Sequence, residues 1–373
     1  MSNRPPADSG SLPRRDLLKL GVAGLGLSAT AAMPGLASGD APNQERPDLG
    51  PAPATPFAAQ PLDAVRVGFV GVGGMGGAHV RNFLGLADVE ITALCDINEA
   101  RNTEVASWVT EDGRPRPAMY GRNETDFVRM CETEDLDLVL TATPWEWHVP
   151  VCVAAMENGK HAATEVPAAY RTEDCWKMVE YAEKYQRHCV MMENCNYDRP
   201  EMMVFHMARL GILGDILHAE CGYLHDLREI KFSDEGEGLW RRAHAMVRNA
   251  NLYPTHGLGP VANVMDINRG DQFEYLVSMS SPSQGLQEWG MEHYPEGHPK
   301  RSERYVLGDV NTTMIKTVRG KTIYVSHDTN LPRPYSRIHM VQGTKGIFQG
   351  YPHRVHVEGM SPGHQWQEWT ELL

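Results

Sequence analysis

A glycine-rich loop directly after a short apolar stretch constrains this chain more than any other feature. Residues 65–70 suit a buried strand, and Gly71-x-Gly73-x-x-Gly76 follows them. The first glycine permits a tight turn and the second lets a pyrophosphate approach the backbone. The third lets the next helix, predicted over 78–86, pack closely on the strand, with its N-terminal amides facing the phosphates. The stretch predicts a dinucleotide-binding loop.

An acidic residue follows at the expected distance. Asp96 ends the second predicted strand, 89–95, about twenty residues beyond the loop. A carboxylate there accepts hydrogen bonds from the ribose hydroxyls and repels a 2′-phosphate, which favours NAD over NADP. The alternative is that Asp96 merely begins the next turn. Loop, helix, strand and acid together predict an NAD site.

Strands and helices alternate through the first half of the chain, which predicts a doubly wound parallel (Rossmann) sheet over residues 63–198. Beyond it, longer strands predict a second α/β domain over 199–373 with a mostly antiparallel open sheet. The predicted elements of the first domain include strands 136–141, 162–165 and 189–192 and helices 98–110, 149–158 and 171–186. Those of the second include a helix over 201–209, strands 216–225 and 273–280, and hairpins 310–318/322–327 and 337–342/346–349.

The N-terminus resembles a twin-arginine export signal. Arg14 and Arg15 precede a weakly apolar Gly/Ala-rich segment, 20–32, with small-residue cleavage candidates after it. We expect a signal peptide over 1–39, a Pro/Ala-rich linker over 40–62, the export machinery as a partner, and a periplasmic or secreted protein. The segment is too short for a stable membrane anchor. A chance or disordered N-terminal extension is the alternative.

The net charge and the cysteine spacing argue against several classes of protein, namely nucleic-acid-binding, metal-binding and disulfide-stabilised proteins. A net charge of −13 without a basic stripe argues against nucleic-acid binding. The seven cysteines show neither metal-ligand spacing nor a disulfide framework, and several sit in apolar runs like small core residues. We therefore expect no metal site, and we allow for a homo-oligomer.

Several motifs follow the order of the Gfo/Idh/MocA oxidoreductase-like family, which the chain resembles from about residue 65 onward. They are Ala142-Thr143-Pro144 with His148, Glu157 to His161, and Thr164-Glu165-Val166-Pro167. Most members have Glu-Lys-Pro in the last motif, with the lysine reaching the substrate hydroxyl. Val166 replaces that lysine here, so proton handling must come from another residue.

A narrower resemblance is to glycoside hydrolase family 109, described as NAD-dependent N-acetylgalactosaminidases. It is carried by four motifs in order: Trp145-Glu146-Trp147-His148, Glu165-Val166-Pro167, Glu193 to Tyr197, and Tyr253 to Pro260. The resemblance implies a glycan substrate with terminal N-acetylgalactosamine. It also implies oxidation at sugar carbon 3, elimination, water addition and reduction by a recycled NAD. Members usually continue beyond residue 373, so we expect a shortened second domain.

The same resemblance implies the site residues. Its cofactor contacts, with those of the glycine loop, are Gly71, Gly73, Met75, Gly76, Asp96, Trp145, Glu146, Trp147, His148, Glu165, Val166, Asn194 and Tyr253. Its sugar contacts are Tyr223, Arg241, Tyr253, Pro254, Thr255, His256 and Tyr335. Tyrosine and arginine donors suit sugar hydroxyls and an acetamido carbonyl. The alternatives are core aromatics and surface salt bridges, with Arg242 competing for the role of Arg241.

A general base is required, and His256 is the choice because histidine titrates near neutral pH. It precedes the helix predicted to begin at residue 261, whose N-terminus would favour neutral imidazole. Tyr253 is the second catalytic candidate. A histidine that only packs the turn is the bland alternative. At the level of function, the alternatives are an NAD-dependent sugar or inositol dehydrogenase and a sugar-binding protein that retains NAD.

Overall fold

The computed structural model describes residues 58–372. The predicted signal and most of the predicted linker lie outside the described residues. Among those that are described, no helix is long and apolar enough to cross a membrane. The cysteines within this range are free thiols, five of them buried, as small core residues should be.

The first sheet has six parallel strands in the order β3-β2-β1-β4-β5-β6, which is the Rossmann order. Its strands are β1 Val65–Val70, β2 Val89–Cys95, β3 Ala118–Tyr120, β4 Leu138–Thr141, β5 His161–Thr164 and β6 Cys189–Met191. The helices between them are α1 Gly74–Leu84, α2 Glu99–Glu111, α3 Asp126–Thr133, α4 Trp145–Glu157 and α5 Thr172–Tyr185. The predicted doubly wound sheet is confirmed.

Two corrections in this half affect the site. Strand β3, of three residues, and helix α3, of eight, were not predicted. Helix α4 begins at Trp145, four residues before the predicted start, with Pro144 as its N-cap. Pro150 lies inside the helix and has no N–H to donate to the carbonyl of Glu146, a residue that is exposed. The Trp145 to His148 motif therefore forms a helical first turn.

The second sheet has eight strands in the order β14-β13-β12-β11-β7-β10-β9-β8. Its strands are β7 Ile216–Leu224, β8 Phe273–Ser280, β9 Val310–Thr317, β10 Thr322–Asp328, β11 Met340–Gly343, β12 Gly346–Gln349, β13 Arg354–Val357 and β14 Gln367–Glu368. Only the β7–β10 pair is parallel. The predicted, mostly antiparallel sheet and both predicted hairpins are confirmed.

Five further helices accompany this sheet in the described range: α6 Arg199–Arg209, α7 Arg228–Phe232, α8 Arg241–Val247, α9 Thr255–Val264 and α10 Gly285–His293. Helix α9 begins six residues before the predicted start. Gly257 explains the difference, since a Cβ there would lie 2.4 Å from the Gly222 amide nitrogen in β7. The glycines mark close helix–strand packing rather than a turn. This packing holds the start of α9 against the strand.

Candidate active site and cofactor loop

The glycine loop has an open, uncapped helix N-terminus. Gly71 has φ +78°, which a side chain would strain. A Cβ on Gly76 would lie 1.9 Å from the Gly71 carbonyl oxygen, whereas one on Gly73 would meet nothing within 4 Å. Gly73 caps α1 without a side-chain hydrogen bond. The loop thus fits a pyrophosphate, because the first amides of α1 face open space.

Asp96 lies at the edge of this loop. Its Oδ2 accepts a 2.8 Å hydrogen bond from the Val72 amide, and its Oδ1 accepts one of 2.8 Å from the Asn98 amide. Arg101, which the sequence reasoning missed, donates to the carbonyls of Val72 and Gly73. A carboxylate and a guanidinium therefore flank the loop. They suit the ribose and the phosphates of NAD respectively.

The predicted cofactor residues in the first turn of α4 point in different directions. Trp145 is buried and stacks on Tyr253 with ring centroids 5.8 Å apart, while Glu146 is exposed. Trp147 instead packs edge-on against Phe127 at 6.0 Å, within the core of the first sheet. Successive helical positions point about 100° apart, so adjacent side chains cannot share one face. Trp145 faces the sugar-pocket aromatics and Trp147 does not.

His148 lies between two loops, with each ring nitrogen near a backbone carbonyl oxygen. Nδ1 lies 2.8 Å from the Pro167 carbonyl oxygen and Nε2 lies 3.0 Å from that of Thr143. Burial lowers the pKa of this histidine. Its predicted contact with NAD stays a prediction. A neutral imidazole carries one N–H, so His148 donates to only one of these two carbonyls while its ring packs between the segment after β4 and the loop after β5.

Glu165 is held in place by a histidine on the glycine-loop helix. Its Oε1 lies 2.6 Å from His79 Nε2, and its Oε2 accepts a 3.1 Å bond from the Val166 amide. Burial alone would raise the pKa of Glu165, but the bond from His79 and the amide bond lower it overall. Val166 is buried among Trp145, Tyr223 and other apolar side chains. No proton-accepting side chain takes the place of the missing lysine at this position.

Three packed rings, those of Trp145, Tyr223 and Tyr253, form an aromatic wall that includes two of the predicted sugar contacts. The Tyr223 and Tyr253 ring centroids lie 4.7 Å apart. The Arg241 guanidinium lies 5.2 Å from the Tyr253 ring and 5.1 Å from the Trp145 ring, and its Nε is 2.6 Å from Glu237 Oε2. Burial raises the pKa of both tyrosines, so both are neutral phenols near pH 7. Neutral phenols and a guanidinium supply donors for sugar oxygens.

His256 lies in the first turn of α9, not before it, between Thr255 and Gly257. Its Nδ1 is 2.7 Å from Oε1 of Glu193, a buried carboxylate that follows β6. The His256 ring lies 5.0 Å from that of Tyr253. A carboxylate acceptor selects the tautomer with hydrogen on Nδ1, which leaves Nε2 free to accept a proton. Pro254 caps this helix and Thr255 opens it.

The same region holds the one group of three potential metal ligands found among residues 58–372: Glu193, Cys195 and His256, with ligand atoms within 4.8 Å of one another. Burial raises the pKa of the Cys195 thiol, which disfavours the thiolate that a metal needs. His256 Nδ1 and Glu193 Oε1 already contact one another at 2.7 Å. The arrangement fits a hydrogen-bonded histidine–carboxylate dyad better than a metal centre.

Tyr335 reaches the aromatic wall from the segment before β11. Its ring lies 6.1 Å from Tyr223, and its hydroxyl accepts a 3.3 Å bond from Arg337. Arg337 is buried and also contacts Asp198 and Glu201, each at 2.6 Å. It therefore anchors Tyr335 to the start of α6.

Two predicted cofactor residues are exposed, Met75 in the first turn of α1 and Asn194 in the short 3-10 turn after β6, and their contacts with NAD stay predictions. Sequence reasoning missed others that the structure brings to the site: Glu193, His79, His225, His244 and Arg337. The sequence did carry a signal for Glu193, because this residue directly follows a predicted strand and begins the motif Glu193 to Tyr197. His79, His244 and Arg337 had none, because the residues that they contact at the site are distant in sequence. His225 lies two residues from Tyr223, but no motif singled it out.

Two protein-family models match this chain, one over each of the two sheets. Residues 65–193 match the model of the oxidoreductase family with an NAD-binding Rossmann fold. Residues 197–373 match the glycosyl hydrolase 109 C-terminal domain. A glycosyl hydrolase family 109 protein of Shewanella baltica is 45% identical over 362 residues, covering 96% of this chain and 78% of the relative. One from Shewanella sp. strain W3-18-1 is 46% identical over 312 residues, covering 83% and 68%.

Solved structures share the fold at low identity. An inositol dehydrogenase homolog of Azotobacter vinelandii complexed with NAD+ has a TM-score of 0.63 at 19% identity, covering 82% of this chain and 76% of its own. A scyllo-inositol dehydrogenase of Lactobacillus casei with bound NAD(H) and scyllo-inositol has 0.58 at 15%, covering 77% and 76%. The glycine loop, the Rossmann order and these matches agree on the cofactor, which is NAD. The chain is an NAD-dependent enzyme that belongs to glycosyl hydrolase family 109.

Proposed function

We propose that this enzyme hydrolyses terminal N-acetylgalactosamine residues from glycans with a tightly held NAD that is recycled in each turnover. The observation that carries the proposal is the His256–Glu193 pair, at 2.7 Å, beside the tyrosine wall. A plain alcohol oxidation does not require a second base of this kind. An elimination does, because a carbon-bound proton must be removed.

The chain would hold NAD with the glycine loop and Asp96 on the adenosine side, and with residues near Glu165 and Trp145 on the other. When bound, NAD supplies a reversible oxidation at sugar carbon 3, which acidifies the hydrogen on carbon 2. His256 Nε2 would accept that hydrogen as a proton, and Glu193 would stabilise the resulting imidazolium. The aglycone then leaves carbon 1.

The wall residues orient the sugar for this step. Tyr223 and Tyr253 remain neutral, so each can donate a hydrogen bond as well as accept one. Arg241 is a fixed donor that suits the acetamido carbonyl. Val166 contributes only an apolar contact. These residues orient the sugar, and the protons must be transferred by other side chains than a lysine at position 166. This favours the hydrolase mechanism over that of a dehydrogenase with the family's lysine.

The test uses the purified protein without added cofactor. It is incubated with p-nitrophenyl α-N-acetylgalactosaminide while nitrophenol and the absorbance of reduced NAD are followed together. Nitrophenol release over many turnovers without accumulation of reduced NAD is expected. Stoichiometric reduced NAD without nitrophenol would identify a net dehydrogenase instead. Absence of both, with the sugar still bound, would favour the sugar-binding alternative.

Sugar specificity needs a matched substrate. The p-nitrophenyl α-N-acetylglucosaminide differs only in the configuration at carbon 4. Cleavage of the galacto compound by a ratio of at least about tenfold is expected if the wall reads that hydroxyl. Equal rates would remove N-acetylgalactosamine from the proposal while leaving the hydrolase class intact.

We also propose export through the twin-arginine route, which moves folded proteins and would carry the NAD with the chain. Its support is the Arg14-Arg15 pattern alone. Replacing both arginines with lysine should retain the protein in the cytoplasm, as shown by fractionation and immunoblotting. Unchanged fractionation of the Lys-Lys variant would refute this route.

A further inference from the structure

The oxidation required by the proposed function releases one hydroxyl proton. The side chains nearest to the site are poor acceptors for this proton. Burial raises the pKa of Tyr253, so a phenolate there is unfavourable. Glu165 is already a carboxylate bonded to His79, and its pKa is lowered. His256 is assigned to the carbon-bound proton. Burial lowers the pKa of His225 and of His244, so each holds a proton weakly near neutral pH and a more basic acceptor is needed.

A small internal cavity lies behind the aromatic wall. It shares Trp145, Arg241 and Tyr253 with the predicted site, and Lys231, His327 and Thr329 also line it. The remaining lining residues are Ala245, Leu252 and Leu307. The Nδ1 atom of His327 is buried with no hydrogen-bond partner among the described residues. Its volume of about 10 Å³ leaves room for one water at most, and the unpartnered Nδ1 of His327 gives such a water a polar contact in a lining that is otherwise largely apolar.

Lys231, on the short helix α7, is buried at the far side of this cavity. Its Nζ lies 2.7 Å from Thr329 Oγ1, 2.6 Å from Asn330 Oδ1 and 3.1 Å from the Thr329 carbonyl oxygen. These three acceptors hold an ammonium. A neutral amine can accept the hydroxyl hydrogen of Thr329 instead, because that hydroxyl rotates. Both protonation states of Lys231 are therefore accommodated by the same neighbours.

The surroundings of Lys231 bring its pKa close to neutral pH, where it can both accept and release a proton. Burial lowers its pKa to about 7, and Arg241 on α8 adds to the decrease. Asp328, Asp309 and Asp226 act in the opposite direction. His327 faces the same cavity, but burial lowers its pKa to about 3, so it cannot serve as the base.

We propose that Lys231 receives, through the Thr329 hydroxyl and one water in the cavity, the proton that Tyr253 relays from the sugar hydroxyl. One O–H bond of the sugar breaks and one N–H bond forms on Lys231. Tyr253, the water and Thr329 each gain one proton and pass one on. No electron moves along this path. When the carbonyl is reduced at the end of turnover, the proton returns by the same route.

The first test is a pH profile of the single-turnover reduction of bound NAD by the p-nitrophenyl substrate. In the wild type the rate should rise with pH, with a midpoint near 7, because the acceptor must be neutral. Lys231→Met should lower the rate about 100-fold and abolish this midpoint. Lys300→Met is the matched control, because Lys300 is also buried but bonds the Phe232 carbonyl and Asp234 away from the cavity. It should retain the midpoint.

Thr329→Val keeps the buried lysine and nearly the same shape, so it carries the test if Lys231→Met fails to fold. It should slow NAD reduction at least about tenfold without lowering NAD content. A Thr329→Val variant with the wild-type rate and midpoint would overturn the relay. So would a folded Lys231→Met variant that behaves as the wild type.

A third measurement does not depend on turnover. In NAD-loaded protein labelled with ¹³C-lysine, one Cε resonance should titrate near pH 7 and be missing in Lys231→Met. Titration of Lys231 at the ordinary lysine value would overturn the proposal. If the resonance titrates near 7 but no glycoside is cleaved, the proposed function fails rather than the lysine assignment. If cleavage occurs with unchanged pH profiles in both variants, the relay fails and the hydrolase stands.

Discussion

This enzyme has two histidine–carboxylate pairs of almost equal length, and we expect them to act differently. His79 and Glu165 are 2.6 Å apart, and both come from the Rossmann half. His256 and Glu193 are 2.7 Å apart and join the last strand of that half to helix α9 beside the second sheet. Distance alone does not separate them. Their surroundings do.

The first pair has all its oxygens engaged. Glu165 Oε2 accepts from the Val166 amide, so this pair fastens α1 to the loop after β5. In the second pair, Glu193 Oε1 also accepts from the Cys195 amide, but Oε2 is buried without a partner among the described residues. The Glu193 side chain is only 2% exposed, against 14% for Glu165. A buried, under-satisfied carboxylate gains most when its histidine becomes charged, which suits a proton-transfer pair.

The largest expected effect comes from breaking the second pair at its histidine. His256→Ala should lower kcat by about 10²–10⁴-fold, the usual contribution of a general base. Exchange of the carbon 2 hydrogen with deuterated solvent, followed by mass spectrometry, should stop in parallel. A variant that exchanges this hydrogen at the wild-type rate would remove His256 from the role of base.

The next effect compares the two carboxylates with matched changes. Glu193→Gln should reduce kcat about 10–100-fold with little change in KM, because the imidazolium loses its partner. Glu165→Gln should instead weaken NAD retention about tenfold, measured as NAD content after dialysis. If the two variants show the same phenotype, the distinction between a fastening pair and a proton-transfer pair is wrong.

A smaller effect is expected just outside both pairs. Trp147→Ala removes a half-buried ring from the contact with Phe127 and should cost about 2 kcal/mol of unfolding free energy. NAD content and kcat should stay near the wild type, because Trp147 does not face the wall. Denaturant unfolding measures the first quantity and dialysis the second. Loss of NAD without loss of stability would restore the sequence-based assignment of Trp147 to the cofactor.

The last effect is on stability in acid rather than on activity at neutral pH, and it shows what a carboxylate partner changes for a buried histidine. His327 and His339 are fully buried without one, and burial lowers the pKa of each to about 3. Between pH 6.5 and about 3 the unfolded state binds protons that the folded state does not, so stability falls as pH falls. The expected slope is about 1.4 kcal/mol per pH unit for each histidine. His339→Gln should reduce the slope in acid unfolding, and an unchanged slope would contradict this account.

The Rossmann half was largely predictable because its strands are continuous apolar runs and its loop is a local motif. Five of its six strands were expected, and only the three-residue β3 escaped. In the second half, α9 was misplaced because Gly257, Gly259 and Pro260 read as a turn. Their reason is not local. Gly257 fits against Gly222, and Gly259 against Glu193 and Asn196.

The sequence by itself determined the NAD loop, the doubly wound parallel character of the first sheet, the absence of the family's lysine at Val166 and the choice of His256 as the candidate base. Each of these is written in a contiguous motif or in a period of apolar residues. Only the tertiary structure decided that Glu193 is the partner of His256, that Trp145 and Trp147 face different neighbours, and that Lys231 lies behind the wall. Those contacts join residues 63 or more positions apart or on separate elements. They depend on how helices and sheets pack, which no local pattern encodes.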